Sequence, residues 1–343
     1  MLKLYTNTDF LTETYRPYVF PLLFDLVFKN DTELLKYYQL VSAIDQADIV
    51  VMPIDYSLFS KHKVSLNKLL KLARTEHKPL WIYTAGDFGF THYIPESYTF
   101  RLGGFDSLLP NTTFIMPSFI NDPYLEYHTQ GFKALPKPKK PTLGFVGHAQ
   151  SGMRQLLKEY LNHLKKRANH LLKGYRSDKQ SFYPSSVKRA YYLNVLKNSP
   201  KLDAKFILRT QYKAGSQTTE EQLQKRMEFL DNMFQAPYTF CMRGVGNFSV
   251  RFYEALAMGR IPVLLNTDCR LPLRDSIDWN KHCVIVEDKK GALAQQIEDF
   301  HHAVTNEAFM ELQQSNRDLW LECLRRESYF KQIFHQFKTH LSQ

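Results

Sequence analysis

The sequence predicts an α/β protein of two domains, each built around a parallel β-sheet. Short apolar runs alternate with helical patterns through the first half of the 343-residue chain. A segment rich in proline and lysine interrupts this alternation at residues 133–141, and the alternation begins again at residue 142. A chain of this length suits two compact units better than one core, and strand–helix–strand alternation is typical of parallel α/β sheets.

The first half contains three apolar segments of strand length. Residues 2–5 predict the first strand, and residues 49–52 (IVVM) form a continuous apolar run that ends at Pro53, as in a buried parallel strand. Apolar residues recur at helical spacing through residues 66–73, and residues 80–83 (LWIY) then predict another strand.

Residues 133–141 (KALPKPKKP) carry three prolines and four lysines. Such a composition favours an extended, solvated linker. We therefore place an N-terminal acceptor domain at residues 1–135 and a C-terminal donor domain at residues 142–343, whose last helix can pack back on the first domain. Ligands of such sheets bind beyond the carboxyl ends of the strands, which point into the cleft between the domains.

The second half repeats the alternation of strands and helices. The predicted strands comprise residues 142–146, 205–208, 238–241, 261–265 and 283–286. The predicted helices begin near residue 151 and then cover residues 219–235, 249–258, 291–300 and a series from residue 306.

Composition limits the partners and the compartment. Lys plus Arg number 45 against 34 Asp plus Glu, and the net charge of +11 indicates an anionic partner. The four cysteines lack CxxC spacing, which predicts reduced thiols rather than a disulfide framework or a zinc site. No run of roughly 20 apolar residues is present, so we expect any membrane contact to be peripheral.

The most informative segment is residues 238–265, where an apolar strand leads through RGVG at 243–246 into a helix. The glycines let the backbone approach a ligand, and Asn247 or Ser249 is suited to cap the helix. A helix N-terminus at the end of a strand favours phosphate through its free N–H groups and its dipole. Arg243 adds a guanidinium that suits diphosphate oxygens. The alternative is a glycine turn with a purely structural role.

The predicted helix places Arg251 and Glu254 three residues apart, on one face. A carboxylate there can accept hydrogen bonds from both ribose hydroxyls, as acidic residues do in other Rossmann sites. The alternative is a surface ion pair of small energetic effect.

Residues 243–279 resemble the C-terminal signature of the exostosin family of inverting glycosyltransferases. That signature consists of an Arg-Gly turn, a Ser-x-Arg-x-x-Glu-Ala helix, Gly-x-Ile-Pro-Val, Leu-Pro and Ile-Asp-Trp. This sequence has these elements at residues 243–244, 249–255, 259–263, 271–272 and 277–279. Shorter matches are ADIVVMP at 47–53, GDFG at 86–89 and GFVGH at 144–148.

The resemblance implies the GT-B fold, in which two Rossmann-like domains face each other across a cleft. It also implies a UDP-sugar donor, inversion at the anomeric carbon, a saccharide or lipid-linked glycan acceptor, and a role in surface polysaccharide or glycan synthesis. By this resemblance Glu254 holds the ribose, and a turn at residues 144–147, from Gly144 to Gly147, faces the phosphates from the other side of the domain. The residues that it implies around the diphosphate are Arg243, Gly244, Ser249 and Arg251.

The sequence departs from the animal members of the family in having few cysteines and no recognisable membrane anchor. This departure favours a bacterial-type enzyme of the cytoplasm, in peripheral contact with the inner face of the membrane.

An inverting transfer needs a base that takes the proton of the acceptor hydroxyl. Asp87, in the GDFG turn after the strand at 80–83, is our catalytic candidate; Asp55, Asp106, His92 and His148 are the alternatives. Each aspartate equally fits a turn or a helix cap. No His, Asp or Glu cluster has metal spacing, and arginines can neutralise a leaving diphosphate. We therefore expect no essential metal and no cofactor besides the donor.

Residues 158–189 are crowded with lysine and arginine. This run predicts either a solvated helix face or a docking surface for anionic lipid headgroups or a phosphorylated, lipid-linked acceptor. Nucleic acid is not an expected partner, because no recognition-helix, RNP or OB pattern accompanies the charge. Two other functions stay open: a nucleotide-sugar epimerase or hydrolase of the same fold, and a non-catalytic binding protein.

Overall fold

The computed structural model describes residues 1–127, 131–172, 177–209, 218–289 and 291–341. Its strands form two parallel sheets, one from each half of the chain. The two sheets with their helices confirm the predicted α/β fold class of two Rossmann-like units.

The first sheet has six strands in the order β2-β1-β3-β4-β5-β6. These strands are β1 (Leu2–Thr6), β2 (Tyr38–Leu40), β3 (Ile49–Val51), β4 (Leu80–Tyr83), β5 (Ser97–Arg101) and β6 (Thr113–Ile115). The helices of this half are α1 (Pro21–Val27), α2 (Tyr56–Phe59), α3 (Lys63–Thr75) and α4 (Pro123–Glu126). The apolar runs at 49–52 and 80–83 lie on the two central strands, which are buried on both faces.

The second sheet has five strands in the order β11-β10-β9-β7-β8. These strands are β7 (Thr142–His148), β8 (Asp203–Arg209), β9 (Tyr238–Cys241), β10 (Ile261–Leu265) and β11 (Val284–Val286). The helices of this half are α5 (Met153–Leu172), α6 (Ser185–Lys197), α7 (Thr219–Gln235), α8 (Val250–Ala257), α9 (Leu293–Ala303), α10 (Asn306–Leu319) and α11 (Arg326–Leu341).

The C-terminal helix α11 packs against the first sheet rather than the second. The Tyr38 hydroxyl donates a hydrogen bond to the Phe330 carbonyl over 2.6 Å, and the rings of Trp81 and Phe337 lie 4.6 Å apart. The end of the chain therefore covers the apolar face of the N-terminal sheet.

The segment between the sheets is extended, but it is not solvated throughout as the sequence predicts. The Lys137 ammonium donates to the Val304 carbonyl over 2.6 Å, and the Leu135 amide donates to the side chain of Gln313 over 3.0 Å. These contacts hold the segment against the end of α9 and the middle of α10.

Candidate functional site

Arg243 lies in the turn that follows β9, and its side chain is almost completely buried, with 4% exposed. Its guanidinium donates to the Gln180 side chain over 2.8 Å and to the Val245 carbonyl over 2.9 Å. It also stacks on the Tyr183 ring at 4.5 Å. The turn is thus organised around one buried cation.

Helix α8 begins without the side-chain cap that the sequence predicts. Ser249 occupies the N-cap position, yet its hydroxyl makes no capping hydrogen bond. The Asn247 amide instead donates to the Thr267 carbonyl over 2.9 Å and to the Gly104 carbonyl over 3.2 Å. Within the described part of the chain, the first-turn N–H groups of α8 therefore have no side-chain cap, an arrangement that suits an anion.

Arg251, in the first turn of α8, reaches across to β7. Its guanidinium donates to the Val146 carbonyl over 2.7 Å and lies 4.0 Å above the Phe145 ring. A Cβ atom at Gly147 would lie 2.8 Å from the same guanidinium, so glycine permits this close approach. The predicted turn at residues 144–147, which includes Gly147, is wrong, however, because β7 continues through His148 and pairs with β8 along this whole stretch.

The two arginines carry positive charge that is not neutralised by a salt bridge within the described residues, although the nearby Glu254 carboxylate partly offsets the charge of Arg251. Among the residues that the structure describes, no acidic side chain forms a salt bridge with Arg243 or Arg251, and the Nε atom of each has no hydrogen-bond partner. Burial lowers the pKa of both guanidinium groups. Because a buried charge without a counter-charge is costly, this site favours an anionic ligand.

Glu254 is buried on the same helix, and its partner is a residue that sequence reasoning did not single out. Its carboxylate pairs with the Arg226 guanidinium of α7 over 2.5 Å, and Arg226 in turn stacks on the Phe229 ring at 5.2 Å. An ionised carboxylate accepts several hydrogen bonds. The pairing with Arg226 therefore orients Glu254 and leaves it capacity to accept bonds from a ligand.

The loop that carries Asp87, in the N-terminal half, touches the glycine turn of the C-terminal half. Asp87 is exposed and follows Gly86, whose φ of 85° lies in the left-handed region. A Cβ atom at Gly246 would lie only 2.2 Å from the Asp87 carbonyl oxygen. The structure thus brings Asp87 to the same junction as the Arg243 turn.

This contact predicts that alanine destabilises the protein at Gly246 but not at Gly244, two residues earlier. Gly246→Ala should lower the free energy of unfolding by about 1–3 kcal/mol, as overpacking does, because the new methyl group meets the Asp87 backbone. Gly244→Ala is the matched control, since nothing lies within 4 Å of the Cβ position there. Chemical unfolding followed by circular dichroism measures both changes, and equal stability of the two variants would contradict the close approach.

Two residues that the sequence did not reveal anchor the Asp87 loop. Arg101, at the end of β5, donates to the carbonyls of Gly103 (2.7 Å) and Phe88. It also pairs with Asp178 over 2.7 Å, and the Asp178 carboxylate accepts hydrogen bonds from the amide (2.7 Å) and hydroxyl (2.8 Å) of Thr91. These long-range contacts fasten the loop at 87–91 to the second half of the chain.

The two alternative aspartates are engaged in structural contacts. Asp55 caps α2 and accepts a hydrogen bond from the Ala85 amide over 2.7 Å, and burial raises the pKa of its carboxyl group. Asp106 accepts hydrogen bonds from Arg270 over 2.5 Å and from Arg274 over 2.7 Å, which joins the two halves of the chain. Asp55 is therefore a helix cap, as the alternative interpretation of the sequence predicts. Asp106 instead forms ion pairs that connect the two halves of the chain.

The two alternative histidines lie in different surroundings. The His92 ring packs edge-on against the Tyr56 ring at 4.1 Å. His148 ends β7, and its carbonyl accepts a hydrogen bond from Arg189 of α6 over 2.9 Å. Arg189 also contacts the Arg243 carbonyl at 3.4 Å, so it links the carboxyl ends of β7 and β9.

The part of the chain that the structure describes contains no group of three His, Cys, Asp or Glu side chains suited to a metal ion, and independence from metal stays a prediction. In that same part, none of the helices combines the length and apolar character needed to cross a membrane.

Known proteins match the segment that carries this site. The family model described as the Exostosin GT47 domain matches residues 147–299. Exostosin-1 of Drosophila melanogaster is 35% identical over 97 residues, which are 28% of this chain and 12% of that protein. Exostosin-1b of Danio rerio is 33% identical over 97 residues, which are again 28% of this chain and 12% of that protein. The match thus spans about one eighth of the length of these curated relatives.

Solved structures of low identity also align with the chain. The lipopolysaccharide outer core galactosyltransferase WaaB in its apo form aligns at 15% identity with a TM-score of 0.37, covering 84% of this chain and 76% of that one. TarM aligns at 12% identity with a TM-score of 0.31, covering 78% and 58% of the two chains. The match to the family model is the more specific result, because it makes residues 147–299 similar to the domain described as Exostosin GT47.

Proposed function

We propose that this protein is an inverting glycosyltransferase that moves a sugar from a UDP-sugar to a hydroxyl of a saccharide or lipid-linked glycan, in the synthesis of surface polysaccharides or other glycans. The observation that supports it best is the pair of buried arginines, Arg243 and Arg251, which form no salt bridge within the described residues and lie around the uncapped start of α8. A diphosphate would supply the missing negative charge there. The exostosin GT47 domain supports the same class of reaction.

The proposed mechanism assigns each side of the cleft one task. The Asp87 carboxylate takes the proton of the acceptor hydroxyl as its oxygen attacks the anomeric carbon, and the bond from that carbon to the diphosphate breaks. Arg243, Ser249 and Arg251 stabilise the charge that develops on the leaving diphosphate. Glu254, oriented by Arg226, holds the ribose hydroxyls.

The first test is donor binding. Glu254→Ala should weaken UDP binding by about 1.5–3 kcal/mol, the usual range for hydrogen bonds to a charged group. Isothermal titration calorimetry measures this change, after a thermal-shift screen of UDP-, GDP- and CMP-sugars has identified the nucleotide.

Glu298→Ala is the matched control, because Glu298 of α9 also pairs with a cation, Lys201, over 2.5 Å. It should bind UDP like the unaltered protein. Unchanged UDP affinity in Glu254→Ala would remove Glu254 from the ribose role, and no response to any nucleotide sugar would refute the proposed function.

A further inference from the structure

Helix α5 presents apolar side chains to solvent instead of to the protein core. Its apolar stripe consists of Met153, Leu157, Tyr160, Leu161 and Leu164, with exposed fractions of 78%, 57%, 45%, 55% and 40%. Met153, Leu157, Leu161 and Leu164 follow one another at spacings of three or four, and Tyr160 lies three after Leu157, which places all five on one face of the helix.

The opposite face of α5, which meets the rest of the protein, is polar. Gln155 is buried and donates to Glu159 over 2.8 Å, and Glu159 accepts a hydrogen bond from the Ser186 amide of α6. The His163 ring lies 5.5 Å from the Phe182 ring. The helix thus has the reverse of the usual pattern, in which the apolar face points inward.

Basic residues border the apolar stripe. At 100° per residue, Arg154, Lys158 and Lys165 lie along one side of it and Arg167 along the other, and all four are exposed. The one acidic residue of α5, Glu159, lies on the face that meets the protein. The solvent-facing surface therefore combines apolar area with positive charge alone, which is typical of helices that lie in a membrane interface.

We propose that α5 lies flat in the interface of an anionic lipid bilayer, with the apolar stripe at the boundary between headgroups and acyl chains. Arg154, Lys158 and Lys165 then meet the headgroup phosphates. This inference goes beyond the proposed reaction and does not need it. The Lys166 ammonium, on the opposite face of the same helix, lies 5.1 Å from the Phe88 ring of the Asp87 loop. Binding would thus bring a lipid surface close to the side of the cleft that receives the acceptor.

The test measures co-sedimentation of the full chain with vesicles of phosphatidylcholine, with and without phosphatidylglycerol, in the absence of nucleotide sugar. Lys158→Gln/Lys165→Gln should reduce binding to the anionic vesicles about 25-fold, or about fivefold per lysine near a charged surface. Leu157→Gln/Leu161→Gln/Leu164→Gln should reduce it at least about tenfold, because apolar burial is lost. Added salt should weaken binding of the unaltered chain.

Helix α3 offers matched controls. Its apolar face points into the protein core, and it packs in the N-terminal half of the chain, away from α5. Val64→Gln, at an apolar side chain that is 84% exposed, and Lys68→Gln/Lys71→Gln should bind vesicles like the unaltered chain. Circular dichroism shows whether each variant is folded. Hydrogen exchange should slow within residues 153–169 when anionic vesicles are added.

Three results would overturn the proposal. One is equal binding to neutral and anionic vesicles, and another is unchanged binding by both α5 variants. The third is a lipid-free dimer that the leucine variant dissolves, because a second copy of the chain would then cover the stripe. UDP affinity is measured without lipid, so failure of this proposal and failure of the proposed transferase function are separate results.

Discussion

Asp87→Asn is expected to lower the rate of sugar transfer about 10²–10⁴-fold while UDP affinity stays nearly unchanged, as removal of a general base does. Asparagine keeps the shape of the side chain and removes its basicity. The Asp87 loop lies at the carboxyl end of β4 and contacts the glycine turn at Gly246. A carboxylate there can face the acceptor hydroxyl while Arg243 and Glu254 lie on the donor side.

The measurement is the transfer rate at saturating donor, together with calorimetric UDP affinity for the same variant. Asp45→Asn is the matched control, because Asp45 is an exposed aspartate in a short 3-10 helix before β3, at the amino ends of the strands and thus away from the Asp87 loop. It should transfer sugar like the unaltered enzyme. Near-normal turnover of a folded Asp87→Asn enzyme would end this assignment, and His148 would be tested next, because Asp55 and Asp106 are held in structural contacts.

The parts of the fold that the sequence predicted are those with a strong local signal. The central strands β3 and β4 are short, continuous apolar runs, because parallel strands buried on both faces need apolar residues at every position. The strands β2, β5 and β6 were missed. β2 (YQL) and β6 (TFI) have only three residues, and β5 (SYTFR) includes Arg101, so their place in the sheet depends on neighbouring strands.

The same distinction applies to the candidate site. The glycine turn, Arg243 and the helix with Arg251 and Glu254 lie within twelve consecutive residues, so one motif identified them together. Arg226, Arg189 and Asp178 come from distant segments, and the fold alone brings them to the site. The family resemblance implied a turn at Gly147, whereas in the structure this glycine lies in a strand and admits the Arg251 side chain beside it.

Arg101 gives the prediction with the largest expected effect on stability. Its side chain is 1% exposed, and it pairs with Asp178 over 2.7 Å. Arg101→Met keeps much of the apolar volume but leaves the carboxylate of Asp178 without its cation. Breaking a buried pair from one side costs about 3–5 kcal/mol. We expect about 3 kcal/mol, the low end, because Asp178 is 26% exposed and keeps two hydrogen bonds from Thr91.

Urea unfolding of Arg101→Met measures this loss, and Arg274→Met is the control. Arg274 also pairs with an aspartate, Asp106, but its side chain is 36% exposed, so its removal should cost less than about 1 kcal/mol.

Because Arg101 also holds the Phe88 carbonyl, its loss should release the Asp87 loop and lower the transfer rate at temperatures where the variant is still folded. A second variant, Asp178→Ala, and the double variant complete a thermodynamic cycle. A coupling energy near zero between Arg101 and Asp178 would show that the pair does not fasten the loop, and the transfer rate of Arg101→Met would then follow its folded fraction alone.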